Sequence, residues 1–435
     1  MTRPLPFRRA LTTSAATLLA GGLAVASTIA PAHAAPILAI APARVIQSDS
    51  ASLMAITDNG TIYNGYGPIT VLAPDSDGTY LHVLKTFTGM SVAGQKSYLP
   101  SAGLAWADSG AATVTVMDPS QAGGAFVATR VITGANTEIE SPAGVAWASD
   151  GSLWVVDTKV PDGLGDTKDG EEFLRFAPGA DGNVAPVQVI GGDRTGFVPS
   201  GTSSPVGGLT IAPLPNHGLA VSAGGLRPGF SVFTGSQSGN VRPAHVVNLD
   251  VGSPSFISAG ITADAQGRIY IGTGDVHGNY FGKLDVYSST GTQLLELGGA
   301  RQNFRLVLAP AVSPNGALAL VDGTITDLSG TTYTDIRIDV FKPLFAKPGV
   351  VRSLKVTPSR AAQTVSWLAP ANPGGTPPSY AVVVKQGART VLSKRVSTTR
   401  LAIARSALPK GSLKVTVTAV NIGGSGPGAS RTFTN

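Results

Sequence analysis

Two segments with the same pattern decide the fold: Phe176–Ile190 reads FAPGADGNVAPVQVI, and Phe233–Val247 reads FTGSQSGNVRPAHVV. Val71–Leu84 and Met117–Ile132 are looser copies. In each copy a short apolar run is followed by a turn with Pro, Gly or Asp and then by a second apolar run, which predicts the two strands of a β-hairpin. The recurrence indicates an array of similar β-units.

A second hairpin pattern lies beside the first and recurs six times. It is clearest as GVAWASDGSLWVVD from Gly144 and GITADAQGRIYIGTGD from Gly260. One apolar residue anchors each copy, with spacings of 51, 41, 64, 52 and 51 residues: Leu53, Leu104, Val145, Leu209, Ile261 and Val312. Because a single four-stranded unit cannot bury both faces, six such units predict a six-bladed β-propeller over residues 35–341. The second unit is short by about one strand on this spacing.

The ends of this array predict how the ring closes. The last unit stops after a third strand, at Ile336–Phe341, so that its outer strand is missing. Arg44-Val45-Ile46 near the start resembles the outer-strand sequence Arg130-Val131-Ile132. We therefore predict that residues 37–47 supply the missing outer strand.

The repeats resemble the NHL-type propeller repeats of secreted bacterial proteins. The resemblance covers residues 37–341 and rests on the Gly-apolar-Ala, Gly-x-apolar-Tyr/Trp-apolar and Phe-Ala-Pro-Gly-Ala-x-Gly-Asn patterns. It implies a fold but no particular reaction, since propellers carry many unrelated activities. Trp106 and Trp147 are expected at equivalent repeat positions as blade-core residues, with a sugar-stacking platform as the less favoured interpretation.

Residues 350–435 predict a second, sandwich domain after a linker at 342–349. Alternating apolar residues in Ser379–Val384 and Val415–Asn421 favour strands, with turn signals between them. The segment resembles a fibronectin type III domain, an immunoglobulin-like β-sandwich, with Trp367 as its core tryptophan and Tyr380 as its third-strand aromatic. Leu413 stands where that family usually has tyrosine, which implies that the corner hydrogen bond is absent.

Composition bounds the class of protein. The 435 residues include 54 Gly and 31 Pro but no Cys, and 43% are hydrophobic. This is typical of a turn-rich all-β protein, and the lack of cysteine excludes disulfides and thiolate chemistry. Arg3, Arg8 and Arg9 precede an uncharged apolar stretch and the small-x-small site at residues 32–34, so residues 1–34 predict a secretory signal peptide. A membrane anchor is the alternative, which the Ser, Thr and Gly in that stretch disfavour.

Charge is divided unevenly along the chain. Residues 35–349 contain 17 Lys and Arg and 26 Asp and Glu, whereas residues 350–435 contain 12 Lys and Arg and no acidic residue. The basic domain predicts a docking surface for an anionic polymer. The alternative is that it faces the acidic propeller within one chain. The cations assigned to this surface are Lys355, Arg360, Lys385, Arg389, Lys394, Arg395, Arg400, Arg405, Lys410 and Lys414.

A ligand of the propeller is expected where second strands lead into third strands and one blade leads into the next. The predicted rim consists of Asp157, Asp275, His277, Asn279, Tyr280 and Asp322. An acidic loop beside it contains Asp162, Asp166, Asp169, Glu171 and Glu172, which suit Ca²⁺ by ligand type but not by spacing. A solvated acidic loop is the favoured interpretation, and no cofactor is predicted.

Two functions compete on this basis. The first is a secreted, extracellular, non-catalytic protein whose propeller binds a protein or glycan and whose basic domain docks on an anionic envelope polymer or polysaccharide; nucleic acid is a less favoured partner. The second is a secreted glycosidase with an appended fibronectin type III module, which needs two suitably spaced carboxylates. The gluconolactonase family places Asn or Asp before the glycine of inner strands to bind a metal. Here those positions are Ala102, Ala143, Gly207 and Ala259, which disfavours a metal lactonase.

Overall fold

The computed structural model describes most of the chain after the predicted signal peptide. The described residues are 37–38, 40–48, 52–65, 67–90, 94–158, 170–197, 209–223, 229–249, 256–275, 282–298, 304, 306–325 and 333–435. They form β-strands and four short 3-10 turns: Ala135–Thr137, Asp193–Thr195, Pro215–His217 and Arg405–Ala407. In these ranges no helix has the length and apolar character needed to cross a membrane.

The first part of the molecule is a β-propeller-like ring of six sheets, with strands numbered in chain order. The chain begins with β1 (Ile37–Leu38) and β2 (Arg44–Gln47), which join later sheets. The first strand of each sheet contacts the first strand of the next, from β3 round to β24 and back to β3.

The first sheet contains β3 (Leu53–Ile56), β4 (Ile62–Asn64), β5 (Ile69–Leu72) and β6 (Val83–Thr88), with β10 (Gly124–Ala125) paired to β6, and the second contains β7 (Ser97–Leu99), β8 (Gly103–Asp108), β9 (Thr113–Met117) and β11 (Ala128–Ile132). The third contains β12 (Pro142–Trp147), β13 (Leu153–Thr158), β14 (Glu171–Phe176) and β15 (Gln188–Ile190), and the fourth contains β16 (Leu209–Pro213), β17 (Leu219–Ala223), β18 (Gly229–Phe233) and β19 (His245–Asn248). The fifth contains β20 (Phe256–Ala263), β21 (Ile269–Asp275), β22 (Lys283–Tyr287) and β23 (Gln293–Gly298), with β1 paired to β23, and the sixth contains β24 (Val307–Val312), β25 (Leu318–Ile325), β26 (Tyr333–Phe341) and β2.

The sixth sheet takes its outer strand from the N-terminal region. β2 pairs antiparallel with β26, with Arg44 opposite Val340 and Ile46 opposite Ile338. The prediction that residues 37–47 form this strand is right only for Arg44–Gln47, because β1 (Ile37–Leu38) pairs with β23 in the fifth sheet. The Arg44 side chain donates hydrogen bonds to the carbonyls of Gly60 (2.9 Å) and Ser76 (3.1 Å), both in the first sheet. One strand therefore completes the last sheet and attaches it to the first.

The repeated Gly-Asn turns join neighbouring sheets. Gly182 forms a parallel bridge with Ile132 on the outer strand of the preceding sheet, and Gly239 forms the same bridge with Ile190. Both glycines have positive φ, of 68° and 74°, which glycine adopts without strain. The fold thus uses the sequence repeat as a contact between blades.

The second sheet departs from the predicted register. Leu104 lies in its second strand, β8, whereas the anchors of the other five units lie in first strands. The short strand β7 precedes it and is innermost. The prediction that Trp106 and Trp147 occupy equivalent positions is therefore wrong, because Trp106 lies in a second strand and Trp147 in a first. Both side chains are nevertheless buried.

Residues 350–435 form two antiparallel sheets around one core. The first contains β27 (Arg352–Pro358), β28 (Ala362–Leu368) and β31 (Arg400–Ala404); the second contains β29 (Ser379–Gln386), β30 (Arg389–Val396), β32 (Ser412–Asn421) and β33 (Gly424–Thr434). Trp367 on β28 and Tyr380 on β29 meet across the core, with ring centroids 5.3 Å apart. Leu413 is buried in the same core.

The segment predicted as a linker, residues 342–349, is packed rather than extended through solvent. Leu344 is 1% exposed, and Asn421 donates a hydrogen bond to the carbonyl of Ala346 (2.8 Å). A Cβ added at Gly375 would lie 1.9 Å from the carbonyl oxygen of Pro343, and one at Gly423 would lie 2.0 Å from that of Phe345. Glycines of the sandwich therefore allow the connecting segment to lie directly against its loops.

Candidate binding surfaces

Asp157, a predicted rim residue, has a structural role inside the third sheet. Its side chain is fully buried, and its carboxylate accepts hydrogen bonds from the backbone N–H groups of Glu140 (3.0 Å) and Ser141 (2.9 Å). These residues lead into β12, the strand paired with β13. The carboxylate therefore fixes the chain entering the blade, as buried polar groups need such partners.

Asp322, a second predicted rim residue, belongs to a buried charge cluster in the sixth sheet. Its carboxylate lies 2.7 Å from Nη2 of Arg337, and Arg337 Nε lies 3.3 Å from Asp339. Burial raises the pKa of Asp339 to about 6, Arg337 opposes the rise, and the charge of Asp322 adds to it. One arginine thus faces two carboxylates between strands of a blade, and its single positive charge compensates only one of them.

Of the other predicted rim residues, only Asp275 belongs to the described part of the chain. Asp275 ends β21, where its backbone is opposite Phe256. His277, Asn279 and Tyr280 lie outside the described residues. The rim predicted from the sequence therefore stays a prediction.

The acidic loop, for which Ca²⁺ binding is the less favoured interpretation, is described only at its end. Asp162, Asp166 and Asp169 lie outside the described residues, while Glu171 and Glu172 begin β14 opposite Thr158 and Asp157. Glu171 accepts a hydrogen bond from Thr158 Oγ1 (3.0 Å), and burial together with the charge of Asp157 raises the pKa of Glu171. Across the described ranges no three His, Cys, Asp or Glu side chains are grouped so as to hold a metal ion.

Two carboxylates lie on neighbouring strands of the fifth sheet. Asp285 and Glu296 are cross-strand partners, and Lys283 Nζ lies 3.2 Å from Asp285 and 3.1 Å from Glu296. Burial raises the pKa of Asp285 despite the lysine. Gln293 also donates to Asp285 (2.8 Å). The two carboxylates and the lysine thus form an ion-pair cluster within the blade.

Gln95 was not singled out by the sequence, yet it bridges sheets that are not neighbours. Its amide donates to the carbonyl of Ile211 (2.8 Å) and accepts from the N–H of Ile211 (2.8 Å). Ile211 lies in β16, the first strand of the fourth sheet, whereas Gln95 precedes the first strand of the second. The side chain therefore links the second sheet to the fourth, while the backbone of Gln95 forms a bridge with Gly144 on β12 of the third.

The predicted basic surface is accessible. Nine of its ten cations are exposed and Arg405 is partly buried. Arg405 donates to the carbonyl of Ser359 (3.3 Å). Where the structure describes the chain, every ion pair lies at or before Asp339, so none involves a lysine or arginine of the sandwich.

Two lysines stand side by side on the four-stranded sheet. Lys385 on β29 is the direct cross-strand partner of Lys414 on β32. Their outer neighbours are Thr390 and Thr432. Like charges at such positions, with Cβ atoms about 5 Å apart, destabilise a sheet.

A second cationic row crosses the three-stranded sheet. Ser366 on β28 is paired with Lys355 on β27 and with Arg400 on β31. Both cations are exposed, and Ser366 is half-buried between them. The row places a hydroxyl between two positive charges, on a different sheet from Lys385 and Lys414.

Comparison with known proteins gives likenesses of fold. No family model matches the chain, and no curated protein matches it. A gluconolactonase from Xanthomonas campestris is similar over 68% of this chain and 88% of its own, at 14% identity and a TM-score of 0.43. The calcium-binding protein regucalcin from Agrobacterium tumefaciens is similar over 70% and 95%, at 14% identity and a TM-score of 0.44. Domains d3–d4 of rat CD45 match 27% of this chain, at 16% identity and a TM-score of 0.21, and the chain spans 63% of that structure.

Proposed function

We propose that this is an extracellular binding protein whose sandwich domain holds an anionic polysaccharide or envelope polymer. The observation that carries the proposal is the pairing of Lys385 with Lys414, two like charges on adjacent strands with no described ion pair. A bound anion relieves their repulsion. Because residues 350–435 contain no carboxylate, the whole domain favours such a ligand.

The cations on two sheets support a polymer rather than a single small anion. Lys385 and Lys414 lie on the four-stranded sheet, and Lys355 and Arg400 on the three-stranded sheet. Because the two sheets pack on one shared core, these two pairs lie on opposite outer faces of the domain. A polymer long enough to pass round the edge of the domain can contact both faces, whereas a small anion contacts one, and the attraction is strongly reduced by salt. Trp367 and Tyr380 are buried, so these two aromatics offer no stacking surface of the kind that single-stranded nucleic acid uses.

We further infer that the sandwich is a fibronectin type III module and that the propeller repeats are of the NHL type. The three-plus-four division of strands and the contact between Trp367 and Tyr380 support the first assignment. The recurring bridges of Gly182 and Gly239 support the second. With the export signal predicted in residues 1–34, these assignments favour a role outside the cell.

The test compares two insoluble polysaccharides that have the same glucan chain but differ in charge. Retention of the purified full-length protein is measured on carboxymethyl cellulose and on unmodified cellulose across a salt series. We expect retention on the anionic material alone, decreasing steeply with salt. Soluble sugar is assayed in the same tubes, and its release overturns the non-catalytic proposal in favour of a hydrolase.

Matched charge removal tests the surface itself. The double variant Lys385→Gln, Lys414→Gln is expected to weaken low-salt retention about tenfold, or ~1.4 kcal/mol. The control, Arg194→Gln with Arg242→Gln, removes the same charge from exposed positions of the propeller and is expected to retain wild-type binding. If both variants lose retention equally, the effect depends on net charge alone, and the assignment of the binding surface to Lys385 and Lys414 is wrong.

A further inference from the structure

A cleft lies between the first and second sheets, at the end of the ring where first strands turn into second strands. Its volume is about 360 Å³, and its lining includes Thr57, Asp58, Asn59, Tyr63, Tyr98 and Pro100. The cleft is wide open to solvent, so that a bound ligand is covered on one side only. The rim predicted from the sequence lies at the other end of the strands.

Two tyrosines from different sheets form the aromatic wall of the cleft. Tyr63 on β4 and Tyr98 on β7 are stacked, with ring centroids 4.2 Å apart and an angle of 22° between the planes. Tyr63 is 6% exposed, whereas Tyr98 is partly exposed and lines the cleft. Tyr63 therefore supports one face of Tyr98 and fixes its orientation. A ring held in this way can receive a flat apolar surface without further ordering.

The turn between β3 and β4 supplies polar groups in fixed positions. Asn59 Oδ1 accepts hydrogen bonds from Thr57 Oγ1 (2.5 Å) and from the N–H of Thr61 (3.1 Å), which leaves its NH₂ group directed away from the turn. Asp58 Oδ1 accepts from the N–H of Asn315 (2.7 Å), in the turn between β24 and β25. Asp58 and Asn59 both line the cleft, and these hydrogen bonds hold the two side chains in place.

The polar groups that line the cleft differ from the cationic groups on the surface of the sandwich. It includes a carboxylate and an amide but no lysine or arginine. A negatively charged ligand meets Asp58 without compensation, and a wholly apolar ligand leaves Asp58 and Asn59 without partners. A pyranose ring has an apolar C–H face for Tyr98 and hydroxyls for the carboxylate and the amide.

We propose that this cleft binds an uncharged sugar unit, with Tyr98 under the ring and Asp58 and Asn59 on its hydroxyls. The inference is independent of the polyanion proposal, since it uses other residues and another ligand class. The propeller and the sandwich then recognise different parts of a glycan.

The test uses four named sugars: glucose, galactose, mannose and N-acetylglucosamine. Binding to the full-length protein is measured by saturation-transfer NMR and by titration. At least one sugar is expected to bind, and glucuronate is expected to bind more weakly than glucose. Binding of none of the four overturns the proposal, as does a preference for glucuronate.

Variants locate the site. Tyr98→Ala is expected to weaken binding at least tenfold, and Tyr98→Phe, which keeps the ring, to stay within about threefold of wild type. Tyr80→Ala is the matched control, because Tyr80 is 60% exposed and lies outside the cleft. The Lys385→Gln, Lys414→Gln variant is expected to bind the sugar normally. Unchanged binding by Tyr98→Ala, or an equal loss in Tyr80→Ala, contradicts the assignment.

Discussion

Arg268 lies over the ring of Phe345, with its guanidinium carbon 4.0 Å from the ring centroid. Arg268 belongs to the turn between β20 and β21 in the propeller, and Phe345 to the segment that leads into the sandwich. Asp264 holds the arginine through a 2.5 Å contact with Nε and also accepts from Tyr270 Oη (3.0 Å). The connecting segment is therefore fixed to the propeller by a stacked and paired cation.

Arg268→Ala is expected to loosen this segment, because a cation–π contact contributes about 0.5–2 kcal/mol. Chymotryptic cleavage after Phe345 should become several-fold faster while cleavage elsewhere stays constant. Arg242→Ala, at an exposed propeller position, is the control and should leave the rate unchanged. An unchanged rate in Arg268→Ala contradicts the role given to the contact.

Gln95→Ala is expected to destabilise the propeller by about 2–3 kcal/mol, because two hydrogen bonds to Ile211 are lost and leave backbone groups unpaired. The measurement is chemical unfolding followed by tryptophan fluorescence. Gln121 makes the same pair of bonds to Val127 within one exposed turn, at 2.7 and 3.1 Å. Gln121→Ala should cost less than about 1 kcal/mol. Equal effects contradict a bridging role for Gln95.

Asp339 predicts a specific pH dependence of stability. Its pKa is raised from 3.8 to about 6 in the folded protein, so the folded state binds a proton between these values that the unfolded state has released. Its contribution to stability is therefore greatest at low pH and falls by about 1–3 kcal/mol as pH rises from about 4 to 6.

Asp339→Asn should remove this fall when unfolding free energy is measured across that range. Asp335→Asn, at an exposed position of the same strand, should keep the wild-type profile. An unaltered profile in Asp339→Asn assigns the proton to another group and contradicts the prediction.

Lys414→Glu is expected to stabilise the sandwich by about 0.5 kcal/mol, because it replaces a repulsive cross-strand pair with an attractive one. The gain should be larger at low salt, since exposed charges are screened. Thermal unfolding at two salt concentrations measures it. Lys410→Glu, outside the strands, should give a smaller gain. A loss of stability in Lys414→Glu contradicts the predicted repulsion.

Local pattern was enough to predict the hairpins. The alternation around Val145 and Leu209 places both residues in first strands, as the repeat spacing implied. Leu104 has a similar local sequence but lies in a second strand, because the short strand β7 precedes it in the sheet. The prediction missed β7 because its three residues carry only a weak pattern. Periodicity reports which residues are buried and not which strand of a sheet they occupy.

The candidate sites were less predictable because they depend on contacts between distant residues. Asp157 and Asp322 are carboxylates, which often bind ligands. In this structure, however, backbone N–H groups bind the carboxylate of Asp157, and Arg337 pairs with that of Asp322. Gln95 and Ile211 are far apart in sequence, and so are Asp58 and Asn315. The excess of basic residues after residue 350 was visible in composition, whereas the pairing of Lys385 with Lys414 required the register of two strands.

The position of β2 has a consequence for how the protein is made. Synthesis produces Arg44–Gln47 early, but its partners Arg337–Val340 emerge only after nearly the whole ring has been translated. Until then β2 has no strand to pair with, and the first and last blades are not joined. The ring can therefore close only late in synthesis. A chain that terminates before β26 leaves an open arc of sheets with unpaired edges.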